Sequence, residues 1–171
     1  MASFESKSKI NYADLDASLS LSWEEMEYRP TAVAVLKNQD GEILVIKPVK
    51  DPEAWIFPQG GVDRNEKVKD GLQRELFEEL GLQPDDFNVE QFLESVEMDS
   101  ESGRADMRGF TKGKRFISFS VTCLNGDKIR LDPEEIMEFR WISDADVLAT
   151  IQTSRPEKTE LLRRIFQLAG S

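Results

Sequence analysis

Three glutamates, Glu75, Glu78 and Glu79, form the clearest group of residues in this sequence that could do chemistry. They lie in a segment, residues 66–80, whose apolar residues recur with the period of an α-helix. On that helix all three project within an arc of about 100°. Two neighbouring carboxylates at ~5–6 Å repel each other by ~3 kcal/mol at an effective dielectric constant of ~20. The pattern therefore indicates either a solvated acidic surface or a face that holds a divalent cation.

The apolar stripe of the same helix bears on this choice. Val68 and Leu72 begin the stripe, and Glu79 falls at its edge rather than on the side that turns away from the core. An unpaired carboxylate at the core boundary is costly to bury. A bound cation would relieve both the repulsion and the loss of hydration, so the spacing favours a metal site without excluding a solvated face.

Composition restricts which metal and which catalyst such a site can use. The chain has no histidine and a single cysteine, Cys123. These counts exclude a Ser-His-Asp triad, a histidine base, an internal disulfide and a cysteine-based zinc or iron–sulfur site. We therefore expect a hard cation held by oxygen atoms, Mg²⁺ or Mn²⁺, and a carboxylate as general base. Cys123 is expected in the core.

A double glycine precedes the acidic helix by a few residues. In the stretch WIFPQGG, residues 55–61, the aromatic and aliphatic side chains predict a buried strand that Pro58 ends. Gly60 and Gly61 then leave the backbone open to close approach by a ligand. Gly81 stands where a helix beginning near Glu66 would end.

The elements that must position these residues can be read from the remaining pattern. Residues 31–49 predict two strands joined by the turn sequence NQDG. Strands and helices follow one another without strict alternation, which favours an α+β fold with a mixed sheet. The further predicted elements are strands at 87–98, 115–124, 128–131 and 139–143, a short helix from Ser143 to Ile151, and a helix at 156–170.

Length and charge bound the organisation and the partners. The 171 residues suit one main domain, which we place at 28–171, with a weakly patterned N-terminal extension at 1–27 that is either partly flexible or a short helix. The net charge of −11 argues against broad nucleic-acid binding, so we expect no DNA partner. No apolar run suits a membrane span or a signal peptide, so we expect no membrane partner and a cytoplasmic location. The sequence does not predict the oligomeric state.

The stretch from Gly60 to Leu82 resembles the signature of the Nudix hydrolases, G-x5-E-x7-R-E-U-x-E-E-x-G-U, where U is a bulky aliphatic residue. All nine specified positions match: Gly60, Glu66, Arg74, Glu75, Leu76, Glu78, Glu79, Gly81 and Leu82. YRP at 28–30 and the WIFPQGG stretch are similar to the branch that contains RNA 5′-pyrophosphohydrolases and dinucleoside tetraphosphate hydrolases. The resemblance implies a Nudix fold, in which a mixed sheet is packed between helices as an α/β/α sandwich.

The resemblance also implies roles for the residues of the motif. Glu75, Glu78 and Glu79 would be Mg²⁺ ligands, together with the backbone carbonyl of Gly60, and Mn²⁺ is a possible substitute. Arg74 would support catalysis by pairing with a carboxylate such as Glu66. Either Glu78 or a carboxylate from a separate loop would be the general base; the loop residue is Glu135, which would also bind metal, with Glu134 and Glu138 as its competitors.

For the substrate, the resemblance places Arg29, Lys47 and Gln59 near phosphate or base. Lys112 and Lys114 lie on a glycine-flanked loop that could close over phosphates, and Phe110 would stack on a base. This loop lacks the tyrosine and tryptophan usual in the branch. The implied reaction is Mg²⁺-dependent hydrolysis of a phosphoanhydride bond in a dinucleoside polyphosphate or a 5′-triphosphorylated RNA end; the alternatives are ADP-ribose or a nucleoside triphosphate as substrate, or a domain that senses nucleotides without turnover.

Overall fold

A six-stranded mixed sheet organises the chain in this computed structural model, which describes residues 12, 13, 16, 27–100 and 112–170. The strands lie in the order β4-β5-β1-β2-β6, and β3 pairs with β1 beside this series. β1 and β5 are parallel, whereas the other pairings are antiparallel. The strands are β1 (Tyr28–Lys37), β2 (Ile43–Pro48), β3 (Gln59–Gly61), β4 (Phe87–Asp99), β5 (Gly113–Cys123) and β6 (Ile136–Ile142).

Helices cover both faces of this sheet. They are α1 (Val68–Leu80), the single turn α2 (Val147–Thr150) and α3 (Pro156–Ala169). Phe116 and Phe119 of β5 are three residues apart and so point to opposite faces. Lys158 of α3 lies 5.9 Å from the Phe116 ring, whereas Phe119 faces the side on which α1 lies. The α+β fold with a sheet between helices, predicted from the sequence, is confirmed.

The central strand explains why this arrangement is stable. Every residue of β1 from Thr31 to Leu36 is buried, as expected for a strand covered on both faces. The apolar stripe of α1, which includes Val68, Leu72 and Leu76, packs into the same core, and so does the buried Cys123. No helix in the described part of the chain is long and apolar enough to cross a membrane.

Local signals in the sequence account for the turn and for the end of the signature helix. Asn38 accepts hydrogen bonds at its side-chain oxygen from the N–H groups of Asp40 and Glu42, which closes the predicted NQDG hairpin. α1 begins at Val68, two residues later than predicted, so Glu66 lies in the preceding turn. It ends at Gly81, whose φ of 70° is left-handed and whose N–H donates to the carbonyl of Phe77.

The strand predicted at 128–131 is wrong. Gly126–Lys128 form a 3₁₀ turn, and the residues after it run past the C-terminal end of α1. There the N–H of Arg130 donates to the carbonyl of Leu80, and the N–H of Asp132 donates to that of Glu79. The unpaired carbonyls of a helix end thus take the bonds that a strand partner would have taken.

We predict that Gly81→Ala lowers the free energy of unfolding by about 1–2 kcal/mol, because a side chain is strained at this positive φ. An added Cβ would also lie 3.3 Å from the backbone oxygen of Arg130. Urea denaturation would measure the loss. Gly170→Ala is the matched control, because Gly170 has a φ of −83° and a Cβ there meets nothing closer than 3.8 Å. Equal losses in the two variants would contradict this explanation.

Candidate active site

Arg74 joins the signature helix to the loop that precedes it. Its guanidinium donates to both carboxylate oxygens of Glu66, at 2.8 and 3.0 Å, and to the backbone oxygen of Gly61 at 2.7 Å. The remaining terminal nitrogen, Nη1, lies 2.9 Å from Glu75 and 3.2 Å from Glu78. The pairing of Arg74 with Glu66 that the sequence suggested is present, and it holds the glycine loop against α1.

Glu66 is the charge partner that keeps this junction closed. Burial by itself would raise the pKa of Glu66, but hydrogen bonds from Arg74 and from the N–H of Asp63 more than offset it, and the pKa is lowered. The same bond to Glu66 raises the pKa of Arg74. Both groups are therefore charged at neutral pH, and the loop between Gly60 and α1 is tied by an ion pair that is mostly shielded from water.

Glu75 and Glu79 are in the opposite electrostatic situation. Burial raises the pKa of Glu75 from its ordinary value of 4.5 to about 7, although the charge of Arg74 opposes the shift. Burial and the nearby charge of Glu75 raise the pKa of Glu79 well above its ordinary value. Glu79 is only 7% exposed, and one of its oxygens accepts a bond from the N–H of Gln59 at 3.1 Å. These carboxylates need a positive charge that the described protein supplies only in part.

One cavity of about 530 Å³ brings most of the predicted site residues together. Its floor is the junction of β3 with α1, where a Cβ at Gly60 would overlap the carboxylate of Glu75. Only glycine at position 60 allows the Glu75 carboxylate to come this close to the backbone. The loop backbone and the acidic face of α1 therefore form one continuous wall of the cavity. The predicted residues that line the cavity are Arg29, Gln59, Gly60, Arg74, Glu75, Glu78, Glu79, Lys114 and Glu135.

Glu135 reaches the cavity from the turn that leads into β6. The N–H groups of Glu135 and Ile136 both donate to the carbonyl of Asp132, and the N–H of Val49 donates to the carbonyl of Glu135. The charge of Glu135 contributes to the raised pKa of both Glu75 and Glu79. The competitors lie elsewhere: Glu138 pairs with Arg140 at 3.3 Å, and neither it nor Glu134 lines the cavity.

Basic residues line another part of the same cavity. Arg29 of β1 and Lys114 of β5 are partners in the parallel register, and both reach it. The guanidinium of Arg29 lies so close to Gly61 that a Cβ there would overlap it. Lys50, just after β2, also lines the cavity. A polyanion bound in this cavity would contact both carboxylate and basic side chains of the protein.

Gln59 stands between this cavity and a smaller one of about 230 Å³. Its side-chain oxygen Oε1 is buried and accepts no hydrogen bond from the described residues. The smaller cavity has apolar walls from Ile56, Met98 and Phe116, and basic groups at Arg155 and Lys158. An unused buried acceptor is costly, so a ligand N–H donated to Oε1 would be stabilised here.

Two predicted substrate residues, Lys47 and Lys112, do not line either cavity. Lys47 points to the other face of β2 from Ile46 and lies 5.0 Å from the Trp55 ring, which corrects its expected place. Arg140 packs against the same ring at 4.6 Å. Lys112 is exposed and pairs with Glu27 at 2.6 Å. Phe110 lies outside the described residues.

Sequence reasoning missed three charged residues of the cavity. Lys50, Asp63 and Asp132 line it together with the predicted set. Asp63 lies inside the unspecified spacer of the signature, and Lys50 is three residues beyond the Lys47 that was chosen instead. Asp132 carries no local signal, because only the run of its segment past the end of α1 brings it to Glu79.

The donor set fits a hard divalent cation in its chemistry. All the candidate donors are oxygen atoms, the carboxylates of Glu75, Glu78, Glu79 and Glu135 and the backbone carbonyl of Gly60, and such donors suit Mg²⁺. The raised pKa values of Glu75 and Glu79 show that added positive charge would be favourable. Among the described residues no three carboxylates converge closely enough to hold the ion as they stand, since Arg74 holds Glu75 and Glu78. A cation would compete with Arg74 for these two groups.

Comparison with known proteins decides the family. The sequence profile of the NUDIX domain matches residues 27–165. The chain belongs to the Nudix family. The family that the sequence motif indicated is thereby confirmed, and the acidic helix face described above is the Nudix signature in its folded form.

Two relatives of this Nudix chain carry the same name. The RNA pyrophosphohydrolase of Hydrogenovibrio crunogenus is 32% identical over 130 residues, which cover 73% of this chain and 78% of that protein. The RNA pyrophosphohydrolase of Cellvibrio japonicus is 40% identical over 62 residues, so the aligned part spans only 36% of each protein. These names agree with the hydrolase chemistry that the sequence predicted.

A solved structure supports the Nudix fold independently. A Caenorhabditis elegans Ap4A hydrolase, in a binary complex, superposes with a TM-score of 0.62 at 21% identity and covers 84% of this chain and 99% of its own. At this level of identity the likeness concerns the fold. It shows that the α/β/α arrangement described here is one that Nudix proteins adopt.

We predict that, without divalent cations, the free energy of unfolding falls as the pH rises from 4.5 to about 7. In this interval folded Glu75 keeps its proton whereas the unfolded chain has released it, so the folded state holds more protons and rising pH favours unfolding. We expect a fall of about 1–2 kcal/mol from Glu75, allowing for its remaining solvent contact. Urea denaturation in the presence of EDTA at several pH values would measure it.

Glu75→Gln should make this dependence shallower and raise the stability of the metal-free protein at pH 8, because the amide does not ionise; the part due to the raised pKa of Glu79 should remain. Glu90→Gln removes one charge from an exposed position on β4 and is the matched control. A pH dependence that is the same in the wild type and in Glu75→Gln would show that Glu75 is not the titrating group.

Proposed function

We propose that this chain is a Mg²⁺-dependent pyrophosphohydrolase that cleaves a phosphoanhydride bond next to a nucleoside, with 5′-triphosphorylated RNA ends as its first substrate class. The observation that carries the proposal is the single cavity in which Glu75, Glu79 and Glu135 meet Arg29 and Lys114 beside a bare glycine backbone. Phosphoryl transfer requires this combination, since it depends on charge neutralisation and positioning more than on a protein nucleophile.

The metal would be held by the carboxylates of Glu75, Glu78 and Glu79, with Glu135 and the carbonyl of Gly60 as further ligands; Mn²⁺ has the same preference for oxygen. When bound, the cation neutralises phosphate oxygens and makes a water molecule easier to deprotonate. Burial of Glu75 and Glu79 supports this assignment, because the site is poorly hydrated and binding would relieve their mutual repulsion.

We assign the base to Glu135 and a positioning role to Arg74. Glu135 enters from the turn before β6 and is not among the partners of Arg74, so its carboxylate can take the proton of the attacking water. Glu78 is the alternative base. Arg74 orients Glu75 and Glu78 by donating hydrogen bonds to both. It also donates to the Gly61 carbonyl, which holds the loop in a constant position relative to the helix.

We assign phosphate binding to Arg29 and Lys114. We add Lys50, because it lines the same cavity. We place the nucleoside in the smaller cavity, whose apolar walls suit a base and whose Gln59 oxygen lacks a donor. Phe110 and Lys112 keep the substrate-binding roles inferred from the resemblance as proposals. Lys47 is not assigned to the site, because its side chain packs on Trp55.

Dinucleoside polyphosphates are the second substrate class. The smaller cavity, at about 230 Å³, has room for one nucleoside, and the net charge of −11 disfavours a long polyanion beyond the site. We rank RNA ends above dinucleoside polyphosphates as the substrate class, because two relatives are named RNA pyrophosphohydrolases. We do not expect a DNA or membrane partner.

We also propose a division into a catalytic domain at 28–171 and an extension at 1–27, with a cytoplasmic location. The domain match at 27–165 supports the boundary. The scarcity of cysteine is compatible with a reducing compartment.

We predict that the full chain releases pyrophosphate or phosphate from a triphosphorylated oligoribonucleotide with Mg²⁺ present, and not with EDTA. Parallel assays with diadenosine tetraphosphate, ADP-ribose and a nucleoside triphosphate would rank the substrates by kcat/KM. Binding of these ligands without any Mg²⁺-dependent turnover would instead favour a nucleotide sensor.

If Glu78 is a metal ligand, Glu78→Gln should lower kcat by about 10³-fold or more, while the circular dichroism spectrum shows an unchanged fold.

We predict that Glu135→Gln lowers kcat by about 10²–10⁴-fold, the range of general-base catalysis, and abolishes the rise of kcat on the acidic side of the pH–rate profile. Glu134→Gln, one residue away and outside the cavity, is the matched control and should retain wild-type kinetics. If Glu135→Gln leaves the profile unchanged, the base is Glu78.

A further inference from the structure

The first turn of α1 is capped by a residue far away in the sequence. One carboxylate oxygen of Asp16, Oδ1, accepts a hydrogen bond from the N–H of Val68 at 2.8 Å, across 52 positions of the chain. Val68 is the first residue of the helix that carries the metal ligands. The first N–H groups of any helix have no partner within it, and a carboxylate there also interacts favourably with the helix dipole.

The signature segment does not provide such a cap itself. The residue in the N-cap position is Lys67, whose side chain makes no capping bond. Glu66 precedes it, but its carboxylate is already shared between Arg74 and the N–H of Asp63. The acceptor that elsewhere would come from a serine or aspartate at the N-cap is therefore supplied by Asp16.

Tyr12 gives the same region a second, independent attachment. Its ring stacks on Phe119 of β5, with centroids 6.0 Å apart and planes inclined by 18°. The ammonium of Lys69, the second residue of α1, lies 4.2 Å from the centre of the Tyr12 ring. A stacked ring on the sheet and a cation–π contact to the helix connect β5 to the first turn of α1.

Both residues lie outside the part of the chain that matches the Nudix domain, which begins at residue 27. The contacts are thus an addition to the catalytic domain.

The position of α1 along its axis determines where the carboxylate of Glu75 lies relative to Gly60. Glu75 follows Val68 by seven residues, or ~10 Å along the helix, and its carboxylate already occupies the space of a missing Cβ at Gly60. If the N-terminus of α1 moved, Glu75 would shift relative to the Gly60 backbone, with which it is already in close contact. Displacements of ~1 Å at reacting groups can lower rates by about 10²-fold.

We propose that Asp16 is a positioning residue for the metal site: with Tyr12 it fixes the N-terminus of the signature helix, and thereby the placement of Glu75, Glu78 and Glu79. The inference rests on the proposed function only in naming these glutamates as metal ligands. It does not depend on which nucleotide is the substrate.

The direct test compares Asp16→Ala with Asp16→Asn in the full chain. Asparagine caps a helix as well as aspartate does, whereas alanine does not. In Asp16→Ala we expect the amide hydrogen of Val68 to exchange about fivefold faster, as loss of a cap predicts, and Mg²⁺ or Mn²⁺ to bind about fivefold more weakly by calorimetry. Asp16→Asn should restore both values.

Kinetics add a readout that loss of stability alone would not change. At saturating Mg²⁺ and well below the melting temperature, Asp16→Ala should lower kcat with little change in KM, because the substrate cavity contains neither Tyr12 nor Asp16. Tyr12→Phe should retain the ring contacts and the metal affinity, whereas Tyr12→Ala should lose them. Glu90→Ala, which removes a charge from an exposed part of β4, controls for net charge.

Two results would overturn the proposal. If Asp16→Ala lowers the melting temperature while metal affinity and kcat remain those of the wild type, Asp16 is a stability residue only. If the exchange of Val68 is unchanged, the cap is not formed in solution. Because exchange and metal binding need no substrate, either result is distinguishable from a failure of the proposed pyrophosphohydrolase activity.

Discussion

The burial of like charges on α1 is the constraint on which the rest of the site depends. Glu75 and Glu79 are placed against a glycine backbone in poor contact with water. Burial raises the pKa of both, and the charge of Glu75 raises that of Glu79 further. Such an arrangement is stable only if cations stand nearby. Arg74 is the one that the signature itself supplies, and its bonds to Glu66 and to the Gly61 carbonyl hold the loop in place against the helix.

Several features of the fold can be understood as supports for that helix. β3 pairs with the start of β1, which brings Gly60 and Gly61 beside α1 while β1 itself is buried on both faces. At the far end, Gly81 turns the chain, and the segment that contains Arg130 and Asp132 donates to the last carbonyls of the helix. The segment predicted as a strand thus serves as the C-terminal cap of α1.

The two ends of α1 are therefore held by different parts of the chain. The C-terminal end is bound by residues just before β6, which also deliver Glu135 to the cavity. The N-terminal end is bound by Asp16, outside the domain match. In the proposed metal site, a cation would replace Arg74 as the partner of Glu75 and Glu78. A helix backbone that stays in position would confine this change to side-chain rotation.

The sequence by itself predicted the mixed α+β architecture and the ends of the signature helix to within two residues. These depend on local spacing: carboxylates on one helix face, a glycine where a left-handed turn is needed, and apolar residues at period two or 3.6. The resemblance to the Nudix signature added the family and the pairing of Arg74 with a carboxylate such as Glu66. The apolar pattern also predicted five of the six strands, because each of them contributes aliphatic or aromatic side chains to the core.

Only the tertiary structure decided which candidates share the cavity. It placed Lys114, Lys50 and Glu135 at the cavity, but not Lys112, Lys47, Glu134 or Glu138. Alternation along β2 turns Lys47 to the other face, where it packs on Trp55. Lys112 lies before β5 and pairs with Glu27, and the turn before β6 determines which glutamate reaches the cavity. Asp132 and Asp16 could not be found from the sequence. Each meets α1 through contacts between residues dozens of positions apart, and no local pattern encodes a contact of that kind.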